Sequence, residues 1–125
     1  MIKILIIDDD PSTLLVLKNQ LMKVIDANVY MAESLEEAAC KIGDLYSKPD
    51  LIFLDLFLPG VTEFDIKTAR ETLKIDDVPI IAISIRADIN TIIRAIEQGA
   101  ASYLIKPINI RLLVDAIAVT KIKVL

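Results

Sequence analysis

The chain has 125 residues, 54% of them hydrophobic and 26% charged, enough for one domain that buries its own core without disulfides or a structural metal. A formal net charge of −4 argues against nucleic-acid binding by this chain alone, which needs a basic patch. A single cysteine, Cys40, excludes an internal disulfide and a cysteine zinc site, and the absence of histidine excludes Ser-His-Asp, Cys-His and histidine–metal chemistry.

The apolar runs are short, and none approaches the roughly 20 residues of a membrane helix. Met1-Ile2-Lys3-Ile4 leads straight into Asp8-Asp9-Asp10 with no small-residue cleavage site. A cytoplasmic chain that does not contact membranes is expected.

In chain order, Lys3 to Asp8 reads as a first strand, carrying the aliphatic run ILII. Asp10-Pro11 then caps and opens a helix with Leu14, Leu17, Leu21, Val24 and Ile25 on one stripe. Asn28 to Ala32 is a more mixed strand that fits a sheet edge. Ser34 with Glu37 reads as a capping box ahead of Leu35, Ala38, Ala39, Ile42 and Leu45, with Cys40 off the stripe. Leu51 to Asp55 (LIFLD) and Ile80 to Ser84 (IIAIS) are unbroken enough for strands covered on both faces. Between them, Phe64 to Leu73 forms a weaker helix. Ile89, Ile92, Ile93 and Ile96 mark a fourth helix ended by Gly99. Ser102 to Ile105 is the fifth strand. Asn109 caps a last helix with Leu112, Leu113, Ala116, Val119 and Thr120 inward.

Strict strand–helix alternation predicts one α/β domain with a parallel sheet and helices on both faces. Asp8 and Asp9 follow the first strand, Asp55 ends the third, Ser84 ends the fourth and Lys106 follows the fifth. All lie at the carboxyl end of the sheet, where open α/β folds bind ligands. If the strand order is 2-1-3-4-5, Asp8, Asp9 and Asp55 converge at the crevice. Three close carboxylates repel, and a hard divalent cation is the usual remedy. A cation, the Lys106 ammonium and the Ser84 hydroxyl around one carboxylate form a set suited to phosphoryl transfer, with Asp55 as nucleophile.

At these residues the chain resembles the receiver domain of two-component response regulators, the CheY-like family. ILIIDDDPS is similar to its first strand and acidic pair, and DLIFLDLFLPG to its phosphoacceptor segment. IIAIS is similar to its fourth strand, and GAASYLIKPI to its fifth. The resemblance covers essentially all of residues 1–125, as a whole protein or as a domain cut from a longer regulator or hybrid kinase. It implies a flavodoxin-like sheet of order 2-1-3-4-5 with five helices. It implies phosphorylation of Asp55 by a sensor histidine kinase or phosphotransfer protein. Mg2+ or Mn2+ would be held by Asp8, Asp9, Asp55 and the main-chain carbonyl of Phe57. Ser84 and Lys106 would contact the phosphoryl group, and Lys106-Pro107 would be a cis peptide. Tyr103 would swing inward as Ser84 moves, changing the surface of the fourth helix, fifth strand and fifth helix for an output domain, a target protein or a second copy of the chain. Such a chain is a self-phosphorylating and dephosphorylating aspartate switch rather than a turnover enzyme.

Three departures bear on access to the site. Ile85 stands where a small residue is usual. Phe57 and Arg86 occupy variable flanking positions, with Phe57 expected to shield the acyl phosphate and lengthen its lifetime. Thr62-Glu63 replace a common Asp-Gly. Two rivals remain at this point. Asp8-Asp9-Asp10-Pro11-Ser12 also resembles the opening of haloacid-dehalogenase phosphatases, with Asp8 as nucleophile, Asp10 as acid/base, and Ser84 and Lys106 in support. That reading lacks a later acidic strand and leaves Asp55 unexplained. The other rival is a receiver-like binding module that is never phosphorylated. A glycine-rich phosphate loop is excluded, since Gly43, Gly60 and Gly99 are isolated.

Overall fold

Successive residues of a strand point to opposite faces, so a strand covered on both sides must be apolar throughout. The computed structural model, which describes residues 1–44, 48–58 and 66–125, uses the aliphatic runs in this way. Its elements are β1 (Ile2–Ile7), α1 (Pro11–Val24), β2 (Ala27–Ala32), α2 (Leu35–Asp44), β3 (Leu51–Asp55), α3 (Ile66–Leu73), β4 (Ile80–Ser84), α4 (Ile89–Glu97), β5 (Ser102–Ile105) and α5 (Ile110–Val119). The strands form one parallel sheet ordered β2-β1-β3-β4-β5, with Ile7 beside Leu54 and Asp55 beside Ile83. The 2-1-3-4-5 order and the edge position of β2 are as expected.

Alternation sorts the core into two layers. Leu5, Ile7, Ile52, Leu54, Ile80 and Ala82 pack with Ala38 of α2, Ala69 of α3 and Ala95 of α4. Ile4, Ile6, Phe53, Ile81, Ile83 and Leu104 pack with Leu17 of α1 and Leu113 of α5. The sheet is thus fixed between two apolar slabs, and only its carboxyl ends open onto polar residues.

Helix starts follow local chemistry. Asp10 caps α1 by accepting from the Ser12 N–H, with Pro11 as the first helical residue. Asn109 caps α5 by accepting from Arg111 and Leu112 N–H. Ser34 Oγ accepts from the Glu37 N–H, but the Glu37 carboxylate returns to the Glu33 N–H rather than to Ser34, so the box closes one residue early. Gly99, at φ +104°, turns the chain after α4 in a conformation that favours glycine.

Two expected stripes are turned differently. Ile89, Ile93 and Ile96 of α4 are exposed, and the face buried against the sheet is Thr91 and Ala95. Small residues let α4 sit close to the sheet, which leaves its isoleucines facing outward. In α5 the inward residues are Leu113, Ala116 and Ile117, whereas Leu112 and Val119 are exposed. A fully apolar helix face admits two registers, and the sequence pattern alone favours the other edge of the stripe. Leu45, Phe64 and Thr62-Glu63 lie outside the described residues.

Candidate functional site

The carboxyl ends of β1, β3, β4 and β5, with the residues that follow them, bring five polar side chains to one end of the sheet. Asp8 is fully buried, Asp55 is 7% exposed and Ser84 is fully buried. Asp9 is exposed, yet carboxylate oxygens of Asp8, Asp9 and Asp55 all lie within 4.8 Å of one another. Asp8 Oδ1 accepts from the Asp10 N–H at 2.9 Å, and Oδ2 pairs with Lys106 Nζ at 2.6 Å. Asp55 Oδ1 accepts from the Phe57 N–H at 3.1 Å, while Oδ2 lies 3.4 Å from the same Lys106 nitrogen. Lys106 reaches in from the end of β5 through a cis Lys106-Pro107 peptide.

Charge at this point is unbalanced: three carboxylates face one ammonium. Burial pushes the Asp8 carboxyl above its ordinary range, and the nearby Asp55 charge adds to the push against the pull of Lys106 and the Asp10 N–H. Burial works against the Lys106 ammonium too, but its contacts with Asp8 and Asp55 outweigh that and hold it above the usual lysine value. An all-oxygen set of three carboxylates is one a hard divalent metal ion can occupy.

A family model described as the response regulator receiver domain matches residues 4–118. The chain belongs to this family. As a receiver domain of two-component signalling it is similar to the transcriptional regulatory protein KdpE of Staphylococcus aureus, 39% identical over 109 residues that cover 86% of this chain and 45% of that protein. It resembles the crystal structure of a two-component response regulator from Clostridium difficile, with 29% identity, a TM-score of 0.79 and 97% of each chain covered. It also resembles a response regulator of Burkholderia pseudomallei whose crystal structure carries a phosphorylated aspartic acid, a calcium ion and citrate. There the identity is 27% and the TM-score 0.73, over 93% of this chain and 66% of that one. The receiver chain spans less than half the length of the first curated relatives it matches.

Around the receiver site, the remaining residues form a rim. Ser84 Oγ accepts from the Arg86 N–H at 3.0 Å. Tyr103, half-buried against the core layer of α2, α3 and α4, donates its hydroxyl to the Arg86 carbonyl at 2.7 Å. The Arg86 guanidinium carbon lies 5.8 Å from the centroid of the Phe57 ring. Ile85 is 76% exposed. In sequence Phe57 and Arg86 are separate flanking positions; their contact across β3 and β4 emerges only in the fold. Sequence reasoning also missed Asp88, which caps α4 by accepting from the Thr91 N–H and hydroxyl. An aspartate just before an apolar helix was the available signal.

The phosphatase reading fits poorly. Its nucleophile, Asp8, is fully buried and already paired. Its acid/base, Asp10, is used as the α1 cap, where the Thr13 hydroxyl and the Ser12 N–H hold its carboxyl below the usual range. A general acid needs the opposite shift. Among the described residues, no helix is long and apolar enough to cross a membrane.

Proposed function

We propose that this receiver domain takes a phosphoryl group onto Asp55 from a phosphohistidine of a sensor histidine kinase or phosphotransfer protein. The observation that carries the reading is the position of the Asp55 carboxylate. Of the two carboxylates that Lys106 touches, it alone opens to solvent, with Oδ1 held by the Phe57 N–H and Oδ2 beside the lysine. The B. pseudomallei relative with a phosphorylated aspartic acid supports the same chemistry.

An Asp55 oxygen attacks phosphorus, the donor's phosphorus–nitrogen bond breaks, and its electron pair stays on the imidazole. Asp8, Asp9, Asp55 and the Phe57 carbonyl would hold Mg2+, or Mn2+ in its place, which when bound neutralises charge on the transferring group. Lys106 leaves Asp8 to meet a phosphoryl oxygen, and the Ser84 hydroxyl donates to another. Tyr103 follows Ser84, and the surface of α4, β5 and α5 changes its affinity for an output domain, a target or a second copy. Exposed Ile89, Ile93, Ile96, Ile105, Leu112 and Val119 make that surface apolar. A groove of about 140 Å³ beside Lys106, lined by Ser12, Thr13, Val16, Pro107 and Ile108, offers the donor an approach. Ile85 and Phe57 narrow access to Asp55 itself, and Phe57 with Arg86 lengthens the life of the acyl phosphate.

Incubation with acetyl phosphate and Mg2+, followed by mass spectrometric mapping, tests the reading. Label on Asp55, lost in Asp55→Asn, is expected. Label on Asp8 would restore the phosphatase, and a folded, metal-loaded protein without label would leave the inert binding module.

A further inference from the structure

We propose that Arg86 is a phosphoryl-contacting residue of the Asp55 site, and that its move from Asp88 to the arriving group links occupancy of the site to the first turn of α4. This rests on the reading of Asp55 as the phosphoacceptor.

Arginine offers five N–H donors in a planar fork that matches phosphate oxygens. Here Nε donates to Asp88 Oδ1 at 2.9 Å, and the two terminal nitrogens have no hydrogen-bond partner among the described residues. The half-exposed guanidinium stays beside the Phe57 ring, its carbon 5.8 Å from the ring centroid. The N–H of the same Phe57 donates to Asp55 Oδ1, and the Arg86 N–H donates to Ser84 Oγ. Four unused N–H donors, on the two terminal nitrogens of Arg86, therefore stand at the rim beside Phe57, whose own N–H holds the acceptor carboxylate.

The present partner is a weak competitor. The side chains of Arg86 and Asp88 are 54% and 42% exposed, so water screens their pairing. A phosphoryl group brings nearly two negative charges and three strong acceptor oxygens, and outbids one solvated carboxylate for a fork. Asp88 keeps its capping bonds to the Thr91 N–H and hydroxyl after the arginine leaves, so α4 stays capped while its first turn loses a cation. Because the Arg86 carbonyl also accepts from the Tyr103 hydroxyl, movement of this one residue reaches α4 and β5 together.

Beryllofluoride with Mg2+ serves as the phosphoryl mimic, and its affinity is read by fluorine NMR in four proteins: wild type, Arg86→Gln, Asp88→Asn and the double variant. Arg86→Gln should bind about tenfold more weakly, the scale of a charge-assisted contact at a partly exposed site. Asp88→Asn, whose amide oxygen still caps the helix, should bind about threefold more tightly because the guanidinium is released from a surface ion pair. In the double variant the gain from Asp88→Asn should vanish, which a merely structural role for either residue does not predict. The Arg86 Nε–Hε resonance should shift on loading. Equal affinities in all four proteins, or a gain from Asp88→Asn that persists without Arg86, would overturn the proposal and leave Asp55 as acceptor intact. A folded wild type that binds Mg2+ but no beryllofluoride overturns the acceptor reading, and this one with it.

Discussion

Asp8 shows how a candidate metal-binding residue opposes the fold that holds it. Its carboxyl is raised by burial and by Asp55, against the pull of Lys106. A group raised in the folded state favours folding fully below its unfolded value of 3.8, and that contribution is lost as pH rises through the folded value. In metal-free protein at neutral pH, ionised Asp8 is therefore a net cost. Asp8→Asn should stabilise the metal-free protein at pH 7 by about 1 kcal/mol, the ordinary scale of a single substitution. The gain should fade on acidification toward the unfolded value. Mg2+ should raise the urea midpoint of the wild type and do far less for the variant. Urea melts of both proteins across this pH range, with and without the metal, check it; a wild type indifferent to Mg2+ would contradict the metal assignment. Asp88 behaves in the opposite sense. The Thr91 hydroxyl, with Arg86 and the Thr91 N–H, lowers its carboxyl to about 2. Its contribution to capping α4 is present above the unfolded value of 3.8 and is lost as pH falls through about 2. Hydrogen exchange of the first-turn amides of α4 should accelerate over that acidic range, and Asp88→Asn should remove the dependence.

At the scale of the elements, periodicity located the helices but did not orient all of them. Leu14, Leu17 and Leu21 of α1 are buried as a leucine stripe predicts, although Leu15, Val16 and Met22 beside it are left exposed. In α4 the same logic fails: four isoleucines outweigh Thr91 and Ala95 in hydropathy, yet the two small residues face the sheet. Close helix–sheet packing rewards small side chains, a term absent from any apolar count. In α5, Leu112 and Ile117 exchange the roles that the pattern assigned. Substitutions separate the two faces. Ile117→Ala should cost about 2–4 kcal/mol as a core truncation, and Leu112→Ala within about 0.5 kcal/mol as a surface change. Asn109→Ala, which removes the α5 cap, should cost about 1 kcal/mol. Chemical denaturation of the three variants is sufficient; equal losses at 112 and 117 would reverse the assignment of the helix faces.

For the whole molecule, the order of strands decides what the site can be. Placing β1 beside β3 turns Asp8 and Asp55, distant in sequence, into neighbours that share Lys106 from β5. This much was legible, because each of those residues ends or follows an unmistakable aliphatic strand. The contact of Phe57 with Arg86 was not, since it depends on side-chain reach across two loops. The same topology sets the energetic demand on the switch. Carrying a two-state equilibrium from 1:99 to 99:1 takes about 5.5 kcal/mol of differential interaction. Charge-assisted hydrogen bonds of about 1.5–3 kcal/mol each reach that total with about two to four contacts, and Lys106, Ser84 and Arg86 would supply three to one phosphoryl group on the proposed reading. The surface of α4, β5 and α5 is already apolar, with Ile89 at 68%, Leu112 at 55% and Val119 at 60% exposure. Loading Asp55 with beryllofluoride should therefore drive this chain toward a dimer through α4, β5 and α5, seen as a concentration-dependent rise in sedimentation coefficient. Ile93→Glu should keep the loaded protein monomeric while leaving its beryllofluoride affinity and urea midpoint, compared at concentrations where the wild type is also monomeric, near those of the wild type, because Ile93 lies on the solvent face of α4. Loaded protein that stays monomeric at every concentration would assign the patch to a different partner, and a variant that loses beryllofluoride affinity would place Ile93 in the site instead.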